Sequence, residues 1–203
     1  MLLDYPAAAD APVLVLGHGA GAGQAHPWMK RVAAGLAARG VHVVTFDFPY
    51  IEAKRRVPDP GPVLERTFVD VWRSIAANAR GAMFAGGKSM GGRIASQVAA
   101  RHAFDPQPAG LVFFGYPLHP PGKPLVRRDR HLSSIDVPML FVQGTTDGFG
   151  SPEEMRALVS GLADARLELI EGGDHSLVSA KREDPSGRSL DHALDAAAAW
   201  ITR

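Results

Sequence analysis

Short apolar runs alternate along the chain with longer stretches in which apolar residues recur every three or four positions. The short runs occupy residues 13–16, 41–46, 83–85, 111–114, 139–142 and 167–170. Most are nearly continuous, as strands buried on both faces of a parallel sheet are. Between them a helical period takes over. Trp28, Val32 and Leu36 fall at i, i+4 and i+8, and Gly40 follows as a C-terminal stop. Phe68, Val71, Trp72 and Ile75 form a second stripe ended by Gly81, and Ile94 and Val98 mark a third. Ser151-Pro152-Glu153-Glu154 is a helix start: serine caps, proline suits the first helical position, and Glu154 can close a capping box. Met155, Leu158, Val159 and Leu162 then carry the buried face. A last helix is predicted from near Ser189, burying Leu190, Leu194 and Trp200 or Ile201. This alternation predicts an α/β fold: three layers, doubly wound, with a mostly parallel sheet of about six strands. No repeat or linker divides residues 1–203, so one domain is expected.

Three loops interrupt the pattern. Residues 49–62 hold four prolines and the run Lys54-Arg55-Arg56, which reads as a solvated face. Residues 115–134 are rich in proline and basic side chains, and residues 181–188 read as a polar, mobile loop.

Composition removes several classes of function. With 22 basic and 21 acidic residues in 203, no broad basic surface for nucleic acid is expected and there is no acidic tail. The absence of cysteine excludes disulfides, thiolate metal sites and a cysteine nucleophile. Residues 1–10 contain Asp4 and Asp10 without a basic n-region and do not read as a signal peptide. No apolar run approaches the roughly 18 residues of a membrane span. The expectation is a soluble, cytoplasmic protein with neither nucleic-acid nor membrane partners; nothing in the chain specifies an oligomeric state.

Gly87-Lys88-Ser89-Met90-Gly91 fits G-x-S-x-G, in which a serine sits on a sharp strand-to-helix turn that only small neighbours allow. Five residues alone describe a tight packing turn nearly as well as a nucleophile. The context decides: an apolar strand leads in through Met83, Phe84 and Ala85, and a helix with Ile94 and Val98 leads out. The following helix N-terminus favours developing negative charge. A phosphate-binding P-loop ending in Gly87-Lys88-Ser89 would need glycine where Ala82 stands and a loop where the strand continues.

A serine hydroxyl needs a base, usually a histidine oriented by a carboxylate. On this topology the order is nucleophile, acid, histidine, with the last two on loops after later strands. The run 139–142 leads to Asp147, and the run 167–170 leads to His175. Asp174 competes for the acid role, but its adjacency to His175 places it badly to orient that ring. The oxyanion would be held by the Met90 N–H and by a second donor from Gly17-His18-Gly19-Ala20-Gly21-Ala22-Gly23, assigned to Ala20 with Gly21 as the alternative. That loop lacks the G-x-G-x-x-G spacing of a dinucleotide site. Gly21, Tyr116, His119 and Arg93 are candidates for lining the site. A structural role is the simpler reading of the last three, with Tyr116-Pro117 shaping its loop and Arg93 anchoring the helix after Ser89.

With these residues in place the chain resembles the α/β-hydrolase superfamily along nearly its whole length. More narrowly it resembles a small branch distantly related to dienelactone hydrolase, which includes the testis-expressed-thirty proteins and the hydrolase-like domain of a non-specific-lethal chromatin-complex subunit. The resemblance rests on Gly17-His18-Gly19-Ala20-Gly21, Phe48-Pro49-Tyr50, the run 86–93, the run 115–124 and Gly172-Gly173-Asp174-His175. It implies a minimal hydrolase fold without a large lid, lacking the superfamily's first two strands, and a shallow, open site. Dienelactone hydrolases use a cysteine nucleophile, so that activity does not transfer.

The expected function is therefore that of an esterase-like serine hydrolase acting on a small ester or thioester through an acyl-enzyme, with no metal or organic cofactor. Its partner would be a small-molecule acyl substrate. The competing expectation is a non-catalytic binding or scaffold protein on the same fold.

Overall fold

The computed structural model describes every residue except Glu183 and Pro185, so part of the loop read as mobile lies outside the described residues. Seven strands form one sheet: β1 (Leu2–Tyr5), β2 (Val13–Gly17), β3 (His42–Phe46), β4 (Met83–Lys88), β5 (Gly110–Phe114), β6 (Met139–Gly144) and β7 (Ala165–Ile170). Their order is β1-β3-β2-β4-β5-β6-β7. All neighbours run parallel except β1, which pairs antiparallel with β3, Leu2 opposite Phe46 and Tyr5 opposite Val43.

The six runs singled out by their apolar continuity are the six parallel strands. They are continuous because successive side chains enter different cores. Val13, Val15, Leu111, Phe113, Met139 and Phe141 pack on one face. Leu14, Leu16, Val112, Phe114, Leu140 and Val142 pack on the other. The first face is covered by α3 (Gly61–Ala76), α4 (Met90–Ala100) and α5 (Pro152–Ser160), through Leu64, Phe68, Trp72, Ile94, Val98 and Met155. The second is covered by α1 (Pro27–Ala37) and α6 (Arg188–Ile201), through Met29, Val32, Leu36, Leu190, Leu194 and Ile201. Three layers result, as expected. The Ser151 capping box also forms: Ser151 Oγ accepts from the Glu154 N–H at 3.3 Å, and the Ser151 N–H donates to Glu154 Oε2 at 2.9 Å. Such a cap contributes about 1 kcal/mol.

Two short elements depart from the sequence reading. The sheet has seven strands rather than about six, because β1 adds an antiparallel edge; the implied absence of any strand before 13–16 is corrected accordingly. β1 is four residues long with alternating exposed and half-buried side chains, so it has no apolar run to announce it. A single-turn helix, α2 (Pro49–Glu52), occupies the start of the proline-rich loop, with Pro49 at its first position. Between β5 and β6 the chain forms only a short 3-10 turn at Leu132–Ser134, so no lid domain covers the sheet edge. No helix is long and apolar enough to cross a membrane among the described residues.

Candidate active site

β4 delivers Ser89 into a turn with φ 49° and ψ −112°, and α4 begins at the next residue. A non-glycine residue in that region stores strain of about 1–3 kcal/mol, and the surroundings must impose it. They do so by close packing. A Cβ on Gly91 would lie 2.2 Å from the Gly17 carbonyl oxygen, and one on Gly87 would lie 2.5 Å from the same atom. Both glycines of the pentapeptide are therefore required by the approach of β2 to the turn. Met90 is the first residue of α4, so its N–H has no intrahelical acceptor.

Just beyond β6 and β7 stand Asp147 and His175. His175 Nε2 is 2.8 Å from Ser89 Oγ, and His175 Nδ1 is 2.7 Å from Asp147 Oδ2. The consistent tautomer has Nδ1–H donating to the carboxylate and Nε2 accepting from the serine hydroxyl. The Asp147 side chain is fully buried. Its Oδ2 also accepts from Gln143 Nε2 at 2.8 Å, and its Oδ1 accepts from the Phe149 N–H at 2.9 Å. Gln143 is held in turn by the Tyr116 N–H, which donates to its Oε1 at 2.8 Å. Asp174, the competitor, accepts instead from the Ser176 and Val178 N–H groups of its own turn.

Three groups to which the sequence reading gave no part in the site hold the imidazole and its loop. The Phe149 ring stacks on it with centroids 4.1 Å apart. Lys88 Nζ donates to the His175 carbonyl, and Trp28 Nε1 donates to the Ser176 carbonyl at 2.8 Å. Burial lowers the Lys88 pKa to about 8 against the opposing pull of Asp147 and Asp174. Its ammonium is thus occupied inside the fold, which disposes of the P-loop reading of Gly87-Lys88-Ser89. No sequence pattern announces Phe149; Trp28 stood in a helical stripe and Lys88 inside the motif, and only their partners were hidden.

The glycine loop after β2 is held by side chains from the β3–α2 corner. His18 is buried; its Nδ1–H donates to the Gly19 carbonyl at 2.7 Å, and its Nε2 accepts from the Phe48 N–H at 3.0 Å. Burial pushes its pKa down, outweighing the Gly19 bond and the nearby Asp47, so the ring is neutral. Tyr50 Oη donates to the Ala20 carbonyl at 2.9 Å.

Ser89 lies between two cavities, and Ala20 and Phe149 also line both. One, of about 290 Å³, is largely apolar, with Gly21, Trp28 and Met29 in its wall. The other, of about 350 Å³, is charged, with Arg93 and Arg128 in its wall. The structure does not bring every candidate here. Tyr116 and His119 line neither cavity. Tyr116 is turned into the core between Phe113 and Phe141, with its hydroxyl donating to the Arg128 carbonyl at 2.9 Å. Its structural role is the one expected. His119 Nε2 pairs with Glu154 Oε2 at 3.1 Å. Arg93, expected to anchor its helix, has a single long bond to Gln97 Oε1 at 3.4 Å and a buried Nε without a partner. Among the described residues, no group of three or more His, Cys, Asp or Glu side chains is arranged to hold a metal ion.

A doubly wound sheet with a strained serine after a central strand, and a histidine and carboxylate at the same edge, has the layout of an α/β-type hydrolase. The chain belongs to the alpha/beta hydrolase domain family, whose model matches residues 10–203. Solved structures agree on the fold. An alpha-beta serine hydrolase homologue from Coxiella burnetii superposes with a TM-score of 0.70 at 16% identity, covering 100% of this chain and 89% of that one. A dienelactone hydrolase from Anabaena variabilis gives 0.71 at 19% identity, covering 96% and 87%. A serine hydrolase described as lacking a lid, from Xanthomonas campestris, gives 0.67 at 18% identity, covering 94% and 84%.

Proposed function

We propose that this hydrolase-family protein is a serine esterase that cleaves a small ester or thioester through an acyl-enzyme intermediate. The observation that carries the reading is the unbroken hydrogen-bonded chain Ser89 Oγ–His175–Asp147, with links of 2.8 and 2.7 Å. His175 Nε2 takes the Ser89 proton as Oγ attacks the acyl carbon, and the N–H groups of Met90 and Ala20, with Gly21 the alternative to Ala20, stabilise the oxyanion. The imidazolium returns the proton to the departing alkoxide or thiolate. Water then repeats the cycle on the acyl-enzyme, with His175 again the base. Asp147 orients the imidazole and stabilises its charged form. No cofactor is required by these steps.

The test uses the purified protein with an activity-based fluorophosphonate and a panel of short-chain activated esters and thioesters. Labelling of the wild type, lost in Ser89→Ala together with turnover, is the expected result. Absence of both labelling and turnover in the wild type, or labelling that survives Ser89→Ala, sinks the assignment.

A further inference from the structure

The charged cavity beside Ser89 has an unusual balance of pairing. Its carboxylates, Asp59 and Glu65, each meet an arginine that does not line it: Arg55 Nη2 lies 2.6 Å from Asp59 Oδ1, and Arg101 Nε lies 3.2 Å from Glu65 Oε2, while Asp59 Oδ2 is buried without a hydrogen-bond partner. Of the neighbouring basic loop, Arg127 is taken up by Asp129 and Glu154. Arg93 and Arg128 remain, both in the cavity wall, and neither forms an ion pair with a described carboxylate. Burial and then the nearby Arg128 charge lower the Arg93 pKa, and Tyr116 and Glu65 oppose them without cancelling the shift. A guanidinium stays protonated regardless. Glu65 and Asp59 share the cavity but make no direct bond to either guanidinium, and the buried Arg93 Nε has no partner, an arrangement that an anion bonded to both arginines would relieve.

Position adds to the case. Arg93 follows Ser89 by one helical turn, its N–H donating to the Ser89 carbonyl at 3.0 Å. Both side chains line this cavity. Arg128 joins it from the loop between β5 and β6. The cavity on the other side of Ser89 offers Trp28, Met29 and Ala22, and no comparable cation beyond the committed Lys88.

We propose that Arg93 and Arg128 form a carboxylate-binding subsite, so that the preferred substrate carries a carboxylate on one side of its scissile acyl bond and an apolar group on the other. This rests on the esterase reading of Ser89. Guanidinium groups suit this role because their planar donors match a carboxylate's two oxygens. Phosphate shares that chemistry and is separated by the experiment.

The experiment measures kcat/KM for matched pairs: 3-acetoxybenzoate against 3-acetoxybenzamide, and monophenyl adipate against its terminal amide, with 3-acetoxyphenyl phosphate as the phosphate arm. In at least one pair the carboxylate is expected to be preferred by about tenfold or more. That ratio should fall towards one in Arg128→Gln, and Arg93→Lys should lower it less than Arg93→Gln. Arg130→Gln, outside the cavity, should leave it unchanged. A ratio at or below one in both pairs, or one indifferent to Arg128→Gln, overturns the subsite. Preference for the phosphate over both carboxylates overturns the carboxylate assignment. A folding defect is read separately from the melting temperature of each variant. If nothing is turned over, calorimetry of 3-acetoxybenzoate with Ser89→Ala decides. Binding that disappears on adding Arg128→Gln upholds the subsite while the esterase reading falls, and no binding overturns the subsite.

Discussion

At the scale of single residues, Asp147 and Lys88 show how the same buried corner treats opposite charges. Asp147 is dehydrated but receives donors from His175, Gln143 and Phe149. Asp147→Asn keeps the shape while replacing one acceptor oxygen by a donor, so the imidazole is driven towards the wrong tautomer. On the proposed mechanism, kcat should drop on the order of 10⁴-fold, and a loss under tenfold would show that Asp147 does not orient the base. Lys88 is dehydrated with less compensation, and burial lowers its pKa from 10.5 to about 8. Between those values the unfolded chain binds the extra proton, so stability rises with pH across that window; the cost is fully present below about 8 and gone above 10.5. The effect is on the order of 3 kcal/mol. Lys88→Met keeps the apolar stem and removes the titration. Chemical unfolding from about pH 8 to about pH 10 should then give a flatter stability profile than the wild type, and parallel profiles would contradict the assignment. Ser89, Asp147 and His175 were legible as candidates because each follows an apolar strand in the required order. Gln143, Phe149 and Trp28 were not, since what makes them matter is a partner far away in sequence or a ring stacked through space.

At the scale of elements, legibility followed burial. The parallel strands were readable because each puts side chains into both cores, whereas β1 only half-buries one face and α2 is a single turn. The turn between β4 and α4 shows how contacts between elements constrain a local motif. Gly91 packs on the Gly17 carbonyl at the end of β2, while a Cβ on Gly21, in the exposed loop after it, would meet nothing within 4 Å. Gly91→Ala therefore forces β2 and α4 apart, a strain of at least about 1–3 kcal/mol. Gly21→Ala should change stability by no more than about 0.5 kcal/mol. Urea titration of the two variants checks this. Equal midpoints would mean that the glycines of the pentapeptide are not held by β2.

At the scale of the whole molecule, the fold collects polar groups at one edge of a sheet whose two faces are otherwise apolar, and it buries histidines to do so. His18 braces the glycine loop. His131 Nε2 lies 2.8 Å from Ser96 Oγ, which itself donates to the Arg93 carbonyl, so His131 supports the helix behind Ser89. Both pKa values lie below 6.5: burial lowers His18, and burial followed by the Arg93 charge lowers His131. For such groups the unfolded chain binds protons more readily, so their contribution is fully present above about 6.5 and is lost as pH falls towards the folded values. His119 works the other way. Burial opposes its charge, but the Pro120 carbonyl and Glu154 outweigh that and raise its pKa, so part of the loss is offset. Two lowered rings against one raised lead us to expect a net fall. The melting temperature should decrease between about pH 7.5 and about pH 5.5, before most carboxylates titrate. His131→Gln keeps a donor for Ser96 and removes one titration, so it should make the dependence shallower. A wild-type melting temperature that stays level or rises over that interval would mean that the braces of the site are already protonated in the folded protein. The neutral His18 on which the geometry of the glycine loop depends would then be wrong.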